Sequence, residues 1–496
     1  MDINDRLDEI ILEKLEKNPD AKCIWWDGKW FLNKEIYDLI DSTTDTLKKA
    51  NFTQGQRLSV LMPNCPMIIA LMVACWRLGG TINPLNVKSG IPSLVGTLKL
   101  VEPFAVVVSD EIRHEAGPFL NKEGFATIVC ELAGPLPDFK GKEESAEDKS
   151  LAVIFATSGT TGLPKAVPLS HKNLIANVLA TNNALEDLEK GDILLNVLPN
   201  FHSFGYTVSM LLPIFIEGAQ AIVPNFLPPA RTLKTICDAN VNVIPVVPAM
   251  LAYLVSAIER GGPRPQNVKI VLTGGDKYNV ELNDRVKQSF GKGNLQGYGV
   301  TETSPVISVN RNYNNNKLGT VGPFLKYVEW QLRPDGNKKP IDGEGVLWVR
   351  GESVTDRYFR DEAMTTERFD KDGWFNTGDY VSVDSDGYLT ILDRVTDIII
   401  VGGFNVYPQE VERILNAHPA IESSIVVGMP HRTNGEVPKA FILKKEGSTV
   451  SEVDIVRYAK EHLSHYKVPR KVEFVNDWPL TGTGKIMRRV LKEREK

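Results

Sequence analysis

The stretch 157–165 (TSGTTGLPK) contains the residue types in this 496-residue chain that best suit chemistry with an anion. Four hydroxyl side chains, two glycines and a lysine lie within nine residues, a set that no hydrophobic core would select. Glycine allows positive φ and lets successive N–H groups turn toward one point, which forms a concave anion site. The candidate polyphosphate-binding residues are Thr157, Ser158, Gly159, Thr160, Thr161, Gly162 and Lys165.

The spacing differs from that of the common phosphate-binding loop, because Pro164 precedes the lysine and Ala166 follows it. Apolar runs at 151–156 and 166–169 predict a strand, a loop and a second strand. A helix is predicted only at 171–184, with Ser170 as its N-cap, so a bound phosphate would not lie at a helix N-terminus. The same composition also fits an ordinary surface turn.

The segment 298–303 (YGVTET) sets an aromatic ring, a hydroxyl and a carboxylate side by side. Mg²⁺ is usually held by one or two carboxylates together with substrate phosphates, so Glu302 is a candidate ligand for the metal of Mg·ATP. Tyr298 would cover a base and Thr301 would contact a phosphate oxygen. The alternative is a loop with a solvated glutamate.

Three more segments carry candidate functional side chains. Asp379 would accept hydrogen bonds from the two hydroxyls of a ribose, although an Asp beside Gly in a turn needs no function. Lys485 follows a Gly- and Thr-rich segment and would balance charge on a transferring phosphoryl group, unless the basic tail is only a solvated face. His202 lies between Phe201 and Phe204, where it either packs or lines an apolar acyl pocket.

Composition predicts an ordinary soluble globular protein, with 42% apolar residues, 24% charged residues and a net charge of −5. This small charge argues against nucleic-acid binding. The five cysteines are scattered without CxxC spacing, which argues against a disulfide framework or a zinc site and fits a reducing cytoplasm. We expect no signal peptide, and the longest apolar run, 67–76, is too short for a transmembrane segment and predicts a buried helix.

Helical and strand-like runs alternate over about the first 300 residues, which predicts layered α/β structure with mainly parallel sheet. After Thr320 the sequence changes to short β-like segments separated by Gly and Asp turns. A polar break at 394–397 predicts a domain boundary. We therefore expect an N-terminal domain at 1–394 and a C-terminal domain at 395–496.

In this order, the motifs resemble those of the adenylate-forming superfamily of acyl-CoA synthetases, luciferases and peptide-synthetase adenylation domains. The resemblance runs from Trp30 to Val490. It implies a large N-terminal domain of layered α/β sheets with a β-subdomain, and a small mobile α+β C-terminal domain. It also implies ATP, Mg²⁺, a carboxylic acid and CoA as ligands.

The resemblance assigns a role to each matching residue. The stretch 157–165 would be the phosphate loop, and Thr301 and Glu302 would contact the α-phosphate and the Mg²⁺. The other assignments are Gln296, Gly297 and Tyr298 to the adenine and acyl-adenylate site, Phe201, His202, Phe204 and Val300 to the acyl pocket, Asp379 and Arg394 to the ribose, Lys485 to the adenylation step, and Gly402 and Gly403 to the CoA pantetheine.

The implied reaction has two steps. A carboxylate oxygen attacks the α-phosphorus of ATP to give acyl-AMP and pyrophosphate, and a thiol then displaces AMP to give a thioester. In the family, the small domain rotates between the steps about a hinge, which here would be Thr396. Three positions depart from the usual residues: Ala166 and Asp393 replace glycines, and Thr396 replaces Asp or Lys.

The acid is expected to be a medium- to long-chain fatty acid, because Phe201 and Phe204 suit an apolar tail and no acidic residue is placed to capture an amino group. An acyl carrier protein remains an alternative acceptor to CoA, since both are anionic and the C-terminal segment is mildly basic. A free-standing adenylating enzyme is a further alternative. A non-catalytic nucleotide-binding relative is the most remote one.

Overall fold

The computed structural model describes residues 2–142, 150–158, 164–334, 341–479 and 486–494. The chain divides into two compact units: unit 1 comprises 1–329 and 349–375, and unit 2 comprises 330–348 and 376–496. The predicted roles of Gly159, Thr160, Thr161, Gly162 and Lys485 concern residues outside the described part of the chain.

Unit 1 contains two large sheets and the helices that cover them. Its strands are β1 (Lys22–Trp26), β2 (Lys29–Leu32), β3 (Arg57–Leu61), β4 (Thr81–Pro84), β5 (Ala105–Ser109), β6 (Thr127–Cys130), β7 (Leu151–Ser158), β8 (Pro164–Ser170), β9 (Ile193–Asn196), β10 (Ala219–Ile222), β11 (Val243–Val246), β12 (Ile270–Thr273), β13 (Leu295–Gly299) and β14 (Val306–Val309). Its α-helices are α1 (Leu7–Lys17), α2 (Asn33–Lys49), α3 (Pro66–Arg77), α4 (Ile91–Val101), α5 (Asp110–Lys122), α6 (His171–Ala184), α7 (Leu212–Phe215), α8 (Pro229–Asp238), α9 (Pro248–Glu259), α10 (Asn283–Phe290) and α11 (Glu362–Arg368). A π-helix covers Gly205–Leu211, and 3₁₀ turns cover Val280–Leu282 and Thr301–Thr303.

The first sheet has eight strands in the order β14-β13-β12-β11-β9-β10-β1-β2, and the second has six in the order β6-β5-β3-β4-β7-β8. Both are parallel except where β14, β2 and β8 add antiparallel edges. Strands such as β3 and β5 are buried along their whole length, as expected for parallel strands covered on both faces. The predicted α/β layering with mainly parallel sheet is confirmed.

Helices α3 and α6 match their predictions closely. Helix α3 is buried from Pro66 to Trp76, and the Trp76 indole N–H donates to the carbonyl of Ala152 in β7 at 2.7 Å. Ser170 caps α6, its hydroxyl accepting from the Asn173 N–H at 3.1 Å. Helix α1 begins at Leu7, and before it the side chains of Asp2 and Asp5 accept hydrogen bonds from local backbone N–H groups, which competes with helix formation.

The described residues of unit 2 form a four-stranded sheet, a five-stranded sheet and three helices. Its strands are β15 (Glu329–Arg333), β16 (Glu344–Arg350), β17 (Phe375–Val383), β18 (Leu389–Arg394), β19 (Ile399–Val401), β20 (Phe404–Val406), β21 (Ile421–His431), β22 (Gly435–Lys444) and β23 (Lys471–Val475). Its helices are α12 (Pro408–Asn416), α13 (Glu452–His462) and α14 (Arg488–Glu493), with 3₁₀ turns at Val395–Asp397 and His465–Lys467.

The five-stranded sheet pairs in the order β20-β19-β22-β21, with β23 parallel to β22. Its aliphatic face and helices α12 and α13 form a separate hydrophobic core that includes Val411, Leu415, Ile442 and Ile455. The layered α/β sheets and a separate C-terminal domain confirm the predicted fold class. The predicted boundary at residue 394 stays a prediction. Among the described residues, no helix combines the length and apolarity needed to cross a membrane.

Candidate active site

The candidate phosphate loop joins the two strands of an antiparallel hairpin, β7 and β8. The register pairs Thr157 with Lys165 and Ser158 with Pro164. This confirms the two predicted strands on either side of residues 159–163. Lys165 is the second residue of β8, and its ammonium lies 5.9 Å from the ring centroid of Tyr358.

The 3₁₀ turn Thr301–Thr303 presents Thr301 and Glu302 directly after β13. Helix α6 fixes this turn, because the Asn177 amide donates to the carbonyls of Thr303 at 3.0 Å and Val306 at 2.8 Å. Gly299 is required at the end of β13, since a Cβ there would lie only 1.9 Å from the carbonyl oxygen of Pro305. Gly299 therefore allows a sharp turn after β13, and the hydrogen bonds from Asn177 hold that turn in place.

The predicted adenine-site residues lie on β13 beside this turn. Gly297 and Tyr298 pair with Val309 and Ser308 of β14. All residues from 296 to 302, including Gln296 and Val300, are partly exposed, in contrast to the buried central strands. This segment can therefore contact a ligand along its length.

Glu302 has a partner that the sequence did not reveal. The Tyr358 hydroxyl donates to Glu302 Oε1 at 2.6 Å, across 56 residues of sequence. Tyr358 is only 3% exposed, and burial together with the Glu302 charge raises the pKa of its phenol. No spacing pattern could have found this pair, since the two residues belong to different segments.

The segment 198–205 brings the predicted acyl-pocket residues next to β13. A Cβ on Gly274 would lie 3.3 Å from Phe204 and 3.3 Å from the carbonyl oxygen of Gly297, so the Phe204 ring lies close to this strand. The Ser203 hydroxyl lies 3.3 Å from the Thr301 hydroxyl. Phe201, His202 and Phe204 are all partly exposed.

A buried amide network holds this segment in place. Asn64 bonds the Asn196 amide oxygen at 3.0 Å and also accepts from the Asn200 N–H at 2.8 Å. Asn196 donates to Gln220 at 2.7 Å, and Asn200 donates to Asn196 at 2.9 Å. Each of the four residues is at most 3% exposed, so this satisfied network rigidly defines where the aromatic loop begins.

The predicted ribose residues meet within unit 2. The register of β17 and β18 pairs Asp379 with Arg394, and Arg394 Nε lies 2.6 Å from Asp379 Oδ1. The Asp379 side chain is 2% exposed and that of Arg394 is 54% exposed. Arg394 thus covers the carboxylate on its solvent side.

The predicted hinge follows this strand. Thr396 is exposed in the 3₁₀ turn Val395–Asp397. Just before it, the buried Asp393 carboxylate accepts from the N–H groups of Arg394 at 2.9 Å and of Gln409 in the first turn of α12 at 3.0 Å. Burial is the main cause that raises the pKa of Asp393 to about 6.

The predicted CoA-contact glycines form an exposed turn. Gly402 and Gly403 join β19 and β20, with φ of +58° and +88°. Two consecutive residues with positive φ are typical of the type I′ hairpin turn, which glycine adopts without strain. A Cβ on either residue would meet nothing within 4 Å, so the backbone there is open to a ligand.

The segment after Lys485 is fixed by an ion pair. Arg488 at the start of α14 bonds Glu412 of α12 twice, at 2.5 and 2.7 Å, and donates to the Val426 carbonyl at 3.1 Å. The Glu412 side chain is 5% exposed. This pair anchors the chain three residues beyond Lys485.

The residues around Glu302 fit a Mg²⁺ ion that is held largely by phosphates. Glu302 offers a hard carboxylate oxygen at a partly exposed turn. Among the described residues, no cluster of three or more His, Cys, Asp or Glu side chains could hold a metal alone. A single carboxylate of this kind suits a metal that is held mainly by the phosphates of a nucleotide.

The chain matches models of one protein family over most of its length. Residues 11–359 match the model described as AMP-binding enzyme, and residues 410–485 match the model described as AMP-binding enzyme C-terminal domain. Together these two ranges include the predicted phosphate, adenine and lysine motifs.

Proteins named for different acids are similar to this chain over nearly its whole length. A long-chain-fatty-acid–CoA ligase of Bacillus subtilis (strain 168) is 30% identical, over 99% of this chain and 95% of that relative. A feruloyl-CoA synthase of Amycolatopsis sp. is 29% identical, over 97% of this chain and 98% of that relative. The crystal structure of ATP-bound MatB from Rhodopseudomonas palustris is 28% identical with a TM-score of 0.88, over 100% of this chain and 99% of that chain.

Proposed function

Because this chain belongs to the AMP-binding enzyme family, we propose that the acid it activates is a medium- to long-chain fatty acid. The chain is an AMP-forming acid–thiol ligase, which uses ATP to make an acyl-adenylate and transfers the acyl group to CoA. The named ligases and synthases among its relatives act on different acids, so the fatty-acid assignment rests on the chain's own residues.

The uncharged segment 193–216 carries this proposal. It contains no Asp, Glu, Lys or Arg, Phe201 and Phe204 are partly exposed, and Phe204 lies close to the Gly297 backbone. An acid with a second carboxylate would need a cationic partner where its tail binds, whereas an alkyl chain needs only apolar contact. The B. subtilis relative, named as a long-chain-fatty-acid–CoA ligase, supports the same acid class.

In the first step, the chain positions two anions for reaction. The loop 157–165 would bind the triphosphate, and Thr301 would donate to an α-phosphate oxygen. Lys485 would lie between the carboxylate and the α-phosphate, where its positive charge offsets the charge that develops during attack. A carboxylate oxygen forms a bond to the α-phosphorus, and the bond to pyrophosphate breaks.

Mg²⁺ would be held by Glu302 and the phosphates, and it would supply charge neutralisation when bound. Asp379 and Arg394 would hold the ribose hydroxyls. Here the buried carboxylate of Asp379 already has its orientation fixed by Arg394, at 2.6 Å.

In the second step, the CoA thiol attacks the acyl carbon and AMP leaves with the carboxylate oxygen that joined it to the acyl group. Gly402 and Gly403 would pass beside the pantetheine, because their turn is exposed and has no Cβ. Rotation about Thr396 would change which of these groups faces the acyl-adenylate.

An aromatic acid is the second candidate. The observation that favours it is a set of buried hydroxyls on the π-helix: those of Tyr206, Thr207 and Ser209 have no hydrogen-bond partner among the described residues. Polar substituents on an aromatic ring would satisfy such hydroxyls. The relative named as a feruloyl-CoA synthase supports this class.

A panel of acids tests the proposal. AMP release is measured with acetate, octanoate, dodecanoate, palmitate, malonate, benzoate and ferulate, each with and without CoA. We expect the highest kcat/KM with dodecanoate or palmitate, and AMP release that depends on CoA. Preference for ferulate or benzoate would replace the fatty acid with the second candidate, and acid-dependent pyrophosphate exchange without a CoA effect would point to a carrier protein as acceptor.

A further inference from the structure

We propose that Tyr358 is a positioning residue for the adenylation step. Its hydroxyl orients the Glu302 carboxylate, and its aromatic ring faces the Lys165 ammonium. This inference rests on the proposed function, since it assigns the support of the metal and phosphate site. It concerns only residues of unit 1.

The hydrogen bond between the two side chains is short and protected. Tyr358 Oη donates to Glu302 Oε1 at 2.6 Å, and Tyr358 is 3% exposed. An ionised carboxylate can only accept hydrogen bonds, so the Tyr358 hydroxyl is the donor in this pair. A charge-assisted hydrogen bond of this kind fixes the rotation of the carboxylate, and it engages Oε1 rather than Oε2.

Tyr358 is itself held by contacts with α11 and Phe369. Its backbone N–H donates to the Thr365 hydroxyl at 2.9 Å, and its ring contacts Phe369 edge-on with centroids 6.2 Å apart. Thr365 belongs to α11, which Asp361 caps by accepting from the Met364 N–H at 2.9 Å. Tyr358 therefore links the Glu302 carboxylate to helix α11.

The chain around Tyr358 also joins the turn to the phosphate hairpin. The Thr355 N–H donates to the Glu302 carbonyl at 2.9 Å, and its hydroxyl donates to the Pro168 carbonyl at 2.6 Å. The Phe359 N–H donates to the Ala166 carbonyl at 2.8 Å. Segment 355–359 thus fixes Glu302 relative to β8, the strand that carries Lys165.

The Tyr358 side chain therefore contacts one positively charged and one negatively charged group. The Lys165 ammonium lies 5.9 Å from the centroid of the ring whose hydroxyl holds Glu302. The cation is attracted by the ring face, and the carboxylate by the hydroxyl. A nucleotide triphosphate with its metal needs both a cation and an oxygen ligand, and Tyr358 sets the spacing between them.

The variant Tyr358→Phe tests this role, because it keeps the ring and removes only the hydroxyl. We expect the KM for Mg·ATP in adenylation to rise about tenfold, the effect of losing one hydrogen bond to a charged group. Mn²⁺·ATP binding, measured by calorimetry without acid or CoA, should weaken by a similar factor. Thioester formation from preformed acyl-AMP and CoA should stay at the wild-type rate.

Two further variants control the measurement. Tyr253→Phe removes the hydroxyl of a surface tyrosine of unit 1 and should change none of these readouts. In the Glu302→Ala background, Tyr358→Phe should cause no further loss of Mn²⁺·ATP binding, because its target is absent. Wild-type binding by Tyr358→Phe, or an equal loss in both backgrounds, would overturn the inference. Absence of acid-dependent AMP release by the wild-type protein would instead overturn the proposed function.

Discussion

Single side chains in the candidate site are held by partners that are distant in sequence. Glu302 meets Tyr358 at 2.6 Å, and Arg488 meets Glu412 across 76 residues. These contacts fix charged groups before any ligand binds. Preorganised charge is effective in phosphoryl chemistry because the protein need not reorganise during the reaction.

Lys485→Ala provides a prediction at this scale. We expect adenylate formation to fall by at least about a hundredfold, as when other charge-stabilising groups are removed. Thioester formation from preformed acyl-AMP should remain, because the lysine acts on the α-phosphate only in the first step. Stopped-flow assays of each half-reaction measure this, with Lys445→Ala as a matched lysine control in unit 2. Equal loss in both half-reactions would contradict the role.

The residue types in the sequence were enough to predict some members of the candidate site, but not the contacts between segments that are distant in sequence. Glu302 and Lys165 could be singled out, because a carboxylate or lysine among Gly and Thr suggests a ligand. Tyr358 could not, since a Tyr-Phe pair in a polar segment looks like ordinary packing. The Ser203 contact with Thr301 was missed for the same reason: it exists only after two segments pack together.

At the scale of elements, β18 and α12 are linked through one buried carboxylate. Asp393 at the end of β18 accepts from the first turn of α12, a favourable place for negative charge at a helix N-terminus. Arg488 and Glu412 lie near enough to affect the pKa of Asp393, in opposite directions. This contact lies three residues before Thr396, the proposed hinge.

The stability of this link should depend on pH. The folded pKa of Asp393 is raised to about 6 from 3.8, so its stabilising contribution is greatest below pH 3.8 and declines as pH rises through 6. The free energy of unfolding of the wild type should therefore decrease relative to that of Asp393→Asn as the pH rises from 4 to 7, by up to about 3 kcal/mol.

Denaturation midpoints of the two full-length proteins across this pH range measure the effect. Asp386→Asn, which changes an exposed aspartate, serves as the control and should give a nearly constant difference. A constant difference for Asp393→Asn as well would show that this carboxylate titrates normally.

Elements were predicted well where local signals agreed. Helix α6 begins at its Ser cap, and α3 follows its apolar run. The hairpin of β19 and β20 could not be predicted, because each strand has only three residues and therefore too short a pattern of alternating side chains. The π-helix at 205–211 has no local sequence signal, since it depends on burial against neighbouring elements.

For the whole molecule, alternating helices and strands predicted the layered α/β fold because that pattern has few compact solutions. By their contacts, residues 330–348 and 376–394 group with the C-terminal residues into one compact unit. The mobile domain from residue 395, the Mg²⁺ and the cytoplasmic location stay predictions.

The central claim is that the carboxylate attacks the α-phosphorus of ATP, and an oxygen label tests it most directly. The acid with the highest turnover in the panel is labelled with ¹⁸O in both carboxylate oxygens and allowed to react with ATP and CoA. Mass spectrometry then locates the label. We predict one ¹⁸O atom in AMP and none in pyrophosphate, because AMP leaves with the oxygen that attacked phosphorus. Unlabelled AMP, or label in inorganic phosphate together with ADP, would contradict the account.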